Sequence, residues 1–170
     1  MLLVLFAGLY LAYRRARSKG VSFTDADTGT AVGDNGTIVR TTDGGDNWMT
    51  QSSGTGVDLV SVSFVDADTG TAVGDTGTIL RTTDGGDNWV QQSSGVGVVL
   101  RDVSFTNVNN GTAVGDNGVI LRTTDGGANW VPESSPTIRN LNSVSFTDPN
   151  TGTAVGAGST ILRRTDAGGG

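Results

Sequence analysis

An all-β fold of four-stranded sheets stacked as propeller blades is predicted by three features of this sequence. A unit of 41 residues occurs four times, glycine-rich turns cut each unit into four short segments, and neighbouring apolar residues within one segment require cover on both faces of a sheet. The period shows in Thr-Ala-Val-Gly, which starts at Thr30, Thr71, Thr112 and Thr153, and in Val-Ser-Phe, which starts at Val21, Val62, Val103 and Val144. Units of about forty residues with four strands each are how propeller blades appear in sequence. A solenoid is the structural rival, with coils that are usually shorter and carry fewer strands.

The second unit illustrates the expected elements. Its first strand falls around Val62–Val65 and its second over Thr71–Gly74. Asp75-Thr76-Gly77 turns the chain into the third, Thr78–Thr83. The same turn reads Asp34-Asn35-Gly36 and Asp116-Asn117-Gly118 in the first and third units, and Asn-Gly supplies the positive φ angles of a type I′ turn. The fourth strand, Trp89–Gln92, follows Asp84-Gly85-Gly86-Asp87-Asn88. Ile79 and Leu80 are consecutive, so they point to opposite faces, and only sheets stacked face to face bury both. The linkers between units, Gly54–Val60, Gly95–Arg101 and Pro136–Asn142, differ most. Val96, Val98, Val99 and Leu100 make one of them apolar, which fits either a contact site or the start of the next strand.

Composition agrees and removes whole classes of chemistry. There are 27 Gly and 3 Pro but no Cys and no His, so thiol nucleophiles, disulfides, thiolate metal sites and imidazole bases or ligands are excluded. The formal net charge is −6, and setting aside Arg14, Arg15, Arg17 and Lys19 leaves −10 on the repeats. An acidic surface of this kind repels nucleic acid and suits cationic partners.

Two regions are expected: a leader over residues 1–19 and repeats over 20–170, with units starting near 21, 62, 103 and 144 and the last incomplete. Met1 to Tyr13 is apolar and predicts a short helix, followed by the basic run RRARSK. Thirteen helical residues reach about 20 Å against a hydrocarbon core of about 30 Å. Two readings stand. The leader is an export signal or anchor ahead of repeats outside the cytoplasm, or its trailing positive charge keeps anchored repeats inside.

Thr41-Thr42-Asp43-Gly44-Gly45-Asp46-Asn47-Trp48 resembles the Asp-box, or bacterial neuraminidase repeat, Ser/Thr-x-Asp-x-Gly-x-Thr-Trp, with Asn47 where the motif has Thr. Thr82 to Trp89 and Thr123 to Trp130 match equally well, with Asn88 and Asn129 at the same place. The wider unit is similar to the blades of the photosystem II assembly factor family of seven-bladed propellers, over residues 21–170. That resemblance implies a non-enzymatic protein-binding or assembly scaffold without a cofactor. The fourth unit departs from the pattern. Ala157 stands where Asp34 does, and the chain ends one residue before the next expected Trp. A fragment of a longer propeller is the favoured expectation, beside a ring completed by several chains and a four-bladed ring.

The Asp-box residues Asp43, Gly45, Trp48, Asp84, Gly86, Trp89, Asp125, Gly127 and Trp130 are expected to shape turns, the carboxylate accepting turn N–H groups and the indole covering the hairpin. Arg40, Arg81, Arg122 and Arg163 recur once per unit, and Arg164 adds a charge. As a ring of guanidinium groups they could hold an acidic segment of a partner, a role the resemblance also implies; the plainer alternative is an ion pair with Asp34, Asp75 or Asp116. Asp25-Ala26-Asp27 and Asp66-Ala67-Asp68 have the alternate spacing of calcium loops but no closing Glu, so no metal is assigned. Sialidase-like hydrolysis or glycan binding is the alternative function. The repeats contain no Tyr and only Glu133, so a catalytic set is lacking and no catalytic residue is assigned.

Overall fold

A computed structural model describes residues 17–165, all of it β-structure and turns. The predicted apolar helix lies outside the described residues. The first strand starts at Ser18, two residues before the expected start of the repeats.

The strands form four antiparallel sheets, each an up-and-down meander in chain order. Blade 1 holds β1 (Ser18–Phe23), β2 (Gly29–Gly33), β3 (Ile38–Thr41) and β4 (Met49–Gln51). Blade 2 holds β5 (Leu59–Phe64), β6 (Gly70–Gly74), β7 (Ile79–Thr82) and β8 (Val90–Gln92). Blade 3 holds β9 (Leu100–Phe105), β10 (Gly111–Gly115), β11 (Ile120–Thr123) and β12 (Val131–Pro132). Blade 4 has three described strands, β13 (Leu141–Asp148), β14 (Thr151–Gly156) and β15 (Thr160–Arg164). First strands of successive blades lie side by side, so each blade runs outward from the common axis to its last strand. The apolar linker is settled by this: Leu100 opens β9 and is buried.

The two-faced strand explains the stacking. Ile79 is 0% exposed and packs with Leu100, Val103 and Leu121 of blade 3, while Leu80, 1% exposed, packs with Val32 and Ile38 of blade 1. Burying an aliphatic side chain of this size is worth about 1.5–3 kcal/mol, and an isolated sheet would forgo it on one face. Each seam also carries a serine ladder between first strands. Phe64 N donates to Ser22 Oγ at 3.1 Å, Phe105 N to Ser63 Oγ at 3.3 Å and Phe146 N to Ser104 Oγ at 3.2 Å.

The turns between second and third strands take the expected form. Asn35 and Gly36 both have positive φ, 54° and 68°, and Thr37 N closes the turn on the Asp34 carbonyl at 3.1 Å. Thr76 holds the same angle, φ 54°, although it lacks the amide that eases Asn into this region. The linkers lie against these turns, which places both at one end of the blades and the Asp-boxes at the other.

Candidate functional site

The Asp-box folds around its own carboxylate. Asp43 Oδ1 accepts from Thr41 Oγ1 at 2.7 Å and Asn47 N at 2.9 Å, and Oδ2 accepts from Asn47 Nδ2 at 2.7 Å. Thr41 Oγ1 in turn accepts from Gly45 N at 2.9 Å. The Asn that stands where the motif has Thr therefore supplies two donors. Asp84 and Asp125 repeat the arrangement through Asn88 and Asn129. These donors hold all three carboxyls down at about 2; for Asp43 the Asn47 backbone N–H is the main cause, and for Asp84 and Asp125 the Asn88 and Asn129 side chains. Gly45, Gly86 and Gly127 all have positive φ. Each indole meets the Phe of its own first strand edge to face, with centroids 6.1 Å apart for Phe23–Trp48 and 5.9 Å for Phe64–Trp89 and Phe105–Trp130.

The recurring arginines lie across the seams rather than in ion pairs. Arg81 is buried; its Nη1 donates to Thr71 Oγ1 at 2.9 Å and its Nη2 to the Val108 carbonyl of blade 3 at 2.6 Å, with Cζ 4.8 Å from the Phe105 ring centre. Arg40 makes the same reach to the Ala67 carbonyl at 2.7 Å and to Phe64 at 5.7 Å. Arg122 Nη2 donates to Asn150 Oδ1 at 3.2 Å. None of the three is paired with Asp34, Asp75 or Asp116, because β3, β7 and β11 place the arginine at the Asp-box end and these aspartates sit in turns at the other. Asp34 pairs instead with Lys19 at 2.8 Å, and Asp116 with Arg101. Arg163 is exposed, and no described residue receives a hydrogen bond from it. Arg164 stands alone in type: its Nη1 reaches both oxygens of Glu133, at 2.6 and 2.7 Å.

The calcium-like spacing resolves into Asx turns. Asp25 Oδ1 accepts Asp27 N at 2.8 Å and Thr28 N at 2.7 Å, and the first of these is the main cause that lowers its pKa. Among the described residues no group of three carboxylates is placed to hold a metal ion.

Between blades 3 and 4 the described residues carry two changes from the repeat, Glu133 and Arg164. An open space of about 500 Å³ is lined there by Val114, Ile120, Val144, Phe146 and Leu162 together with Glu133 and Arg164. In the previous two seams the equivalent residues close on Trp89 and Trp130. In this one Phe146 has no indole partner among the described residues. The two changes fall at repeat-equivalent places: Glu133 where Gln51 and Gln92 stand, and Arg164 where Thr41, Thr82 and Thr123 stand. The opposite end diverges too. Lys19 bridges Asp34 and Asp58 at 2.8 and 2.7 Å, and Ile138, in the third linker, is 87% exposed.

The profile of the family described as photosynthesis system II assembly factor YCF48 matches residues 14–94 and 89–170. The chain belongs to this family. A solved YCF48 bound to a D1 peptide is 26% identical, with a TM-score of 0.71 over 89% of this chain and 55% of that one. YCF48 from Cyanidioschyzon merolae is 20% identical, with a TM-score of 0.75 over 89% and 52%. The chain thus spans about half the length of the solved YCF48 structures it resembles. An ancestral GH74 enzyme shares the fold at 15% identity and a TM-score of 0.61, over 91% of this chain and 26% of that one. No curated protein matches the chain. The YCF48 resemblance legible in the blades is therefore shown by the family match. Among the described residues no helix is long and apolar enough to cross a membrane.

Proposed function

We propose that this chain is a non-enzymatic protein-binding scaffold that takes a segment of a partner protein near the seam between blades 3 and 4, where Glu133 and Arg164 depart from the repeat. The observation that carries the reading is the YCF48 relative solved with a D1 peptide. The described residues at this seam combine apolar and charged groups. Ile120, Phe146 and Leu162 contribute apolar surface, and Arg164 and Glu133 a charged pair. Hydrolysis fits poorly, because carboxyls held at about 2 by their own turns do not serve as general acids near neutral pH. Arg164 is the proposed partner contact of the arginine set, whereas Arg40, Arg81 and Arg122 already brace the seams. The proposed location of the repeats is outside the cytoplasm behind the apolar leader, a reading that protease protection of the full chain in intact cells tests directly.

The deciding measurement is fluorescence anisotropy with labelled D1 peptide and a scrambled control, on the full chain. Selective binding, weakened about tenfold or more by Phe146→Ala and by Arg164→Ala, is the expected result. Equal binding of the scrambled peptide, or indifference to both substitutions, defeats the reading. Retention on a glycan panel without peptide binding selects the glycan-binding alternative.

A further inference from the structure

In blades 1 and 3 the turn between second and third strands is tied down by two contacts, and blade 2 lacks one partner of each. The first contact is an ion pair. Lys19 Nζ meets Asp34 at 2.8 Å in blade 1, and Arg101 meets Asp116 in blade 3. In blade 4 cation and carboxylate are replaced together, with Asn142 and Ala157 at their places. Blade 2 keeps the carboxylate, Asp75, but has Val60 at the place of the cation. Among the described residues no cation pairs with Asp75 and no donor reaches its carboxylate.

The second contact fails at the same turn. Asn35 N donates to Asp58 Oδ1 at 2.8 Å and Asn117 N to Asn140 Oδ1 at 3.2 Å, each acceptor coming from the linker to the following blade. For Thr76 the equivalent linker residue is Val99, whose side chain accepts nothing, and no described residue receives the Thr76 N–H. The Thr76 hydroxyl does not make good the loss, because it donates to the Asp75 carbonyl at 2.7 Å. Thr76 is exposed, and Asp75, Val60 and Val99 are half-buried. An unpaired carboxylate and an unpaired backbone donor thus stand beside two aliphatic side chains. Blade 2 has a described blade on each side, so both lie in the interior of the array.

We infer that the blade 2 turn is a docking point for a basic segment of a partner protein. A Lys or Arg side chain of that segment lays its aliphatic stem along Val60 and Val99 and brings its charge to Asp75, the part that Lys19 and Arg101 play within the chain. A backbone carbonyl of the same segment takes the Thr76 N–H, as Asp58 and Asn140 do at the other turns. The acidic repeats favour a basic partner. This turn lies at the opposite end of the blades from Glu133 and Arg164, so the two sites are separate.

The test is an amide NMR titration of the isotope-labelled full chain with acetyl-Val-Lys-Val-amide, and with acetyl-Val-Glu-Val-amide as control. Saturable movement of the Thr76 amide signal by the lysine peptide alone is expected. The Asn35 and Asn117 signals should stay still, because their N–H groups already have acceptors. Asp75→Asn should weaken binding about threefold or more, and added salt should weaken it too. Val60→Lys should abolish binding by filling the place from within, as Lys19 does in blade 1. The spectrum of each variant shows whether it folds, and either substitution carries the test without the other. No movement of the Thr76 signal overturns the inference. Movement by both peptides alike, or equal movement at Asn35 and Asn117, means diffuse attraction and overturns it as well. Binding that survives both substitutions does the same.

Discussion

Gln92 of blade 2 is hydrogen-bonded to Trp130 of blade 3, its Oε1 accepting the indole N–H at 3.2 Å. Its Nε2 donates to the Gly126 carbonyl of the same Asp-box, also at 3.2 Å. One glutamine thus clamps the box of the following blade, and Gln51 does the same to Gly85 and Trp89, at 2.8 and 3.4 Å.

Removing the clamp strands a donor and an acceptor at a packed seam. Gln92→Leu is expected to destabilise the protein by about 1–3 kcal/mol, read from the urea midpoint at unchanged slope. Gln51→Leu acts on a different seam, and its effect should add to the first.

Arg81 and Arg163 are equivalent in sequence but not in surroundings. Arg81→Ala removes two hydrogen bonds and a cation–π contact from a buried seam, a loss of about 2–4 kcal/mol. Arg163→Ala should stay within about 0.5 kcal/mol of wild type. Thermal melts of the two variants side by side check the contrast.

How much of this was legible follows the repeat. Strand order, the Asn-Gly turns and the two-faced Ile79-Leu80 pair depend on residues close in sequence, and the pattern displays them directly. The arginine partners were not legible. Arg81 ends on Val108, 27 residues away in another unit, and a periodic sequence gives spacing within a unit without saying which neighbour a side chain faces. The glutamine clamps escaped for the same reason. One signal was available: where Gln becomes Glu133, the box Thr becomes Arg164, a paired change that marks two positions in contact.

Acid should weaken the fold through the Asp-boxes. Asp43, Asp84 and Asp125 have folded-state values of about 2 against an ordinary 3.8. The unfolded chain therefore takes up protons first as pH falls. The stabilisation is fully present only about one pH unit above 3.8 and is lost as pH drops toward 2. Melting temperatures across this window should decline, and Asp→Asn changes at the three positions should flatten the decline.

Glycine substitutions separate backbone strain from collision. Gly95 has φ +71° and nothing within 4 Å of a Cβ, so Gly95→Ala should cost about 1 kcal/mol from the backbone alone. Gly77 has nearly the same angle, φ +72°, but its Cβ would strike the Val96 carbonyl and lie 2.7 Å from Ser94 Oγ. Gly77→Ala should therefore cost clearly more, and denaturant midpoints of the two variants give the difference.

The serine ladder, the arginine braces and the glutamine clamps all run from a side chain of one blade to the backbone or box of the next. Each recurs from blade to blade at intervals of 41 residues. A genetic exchange that adds or deletes one whole unit thus rejoins every bond across the new junction. The chain can change its number of blades by unequal recombination without first inventing a new joint.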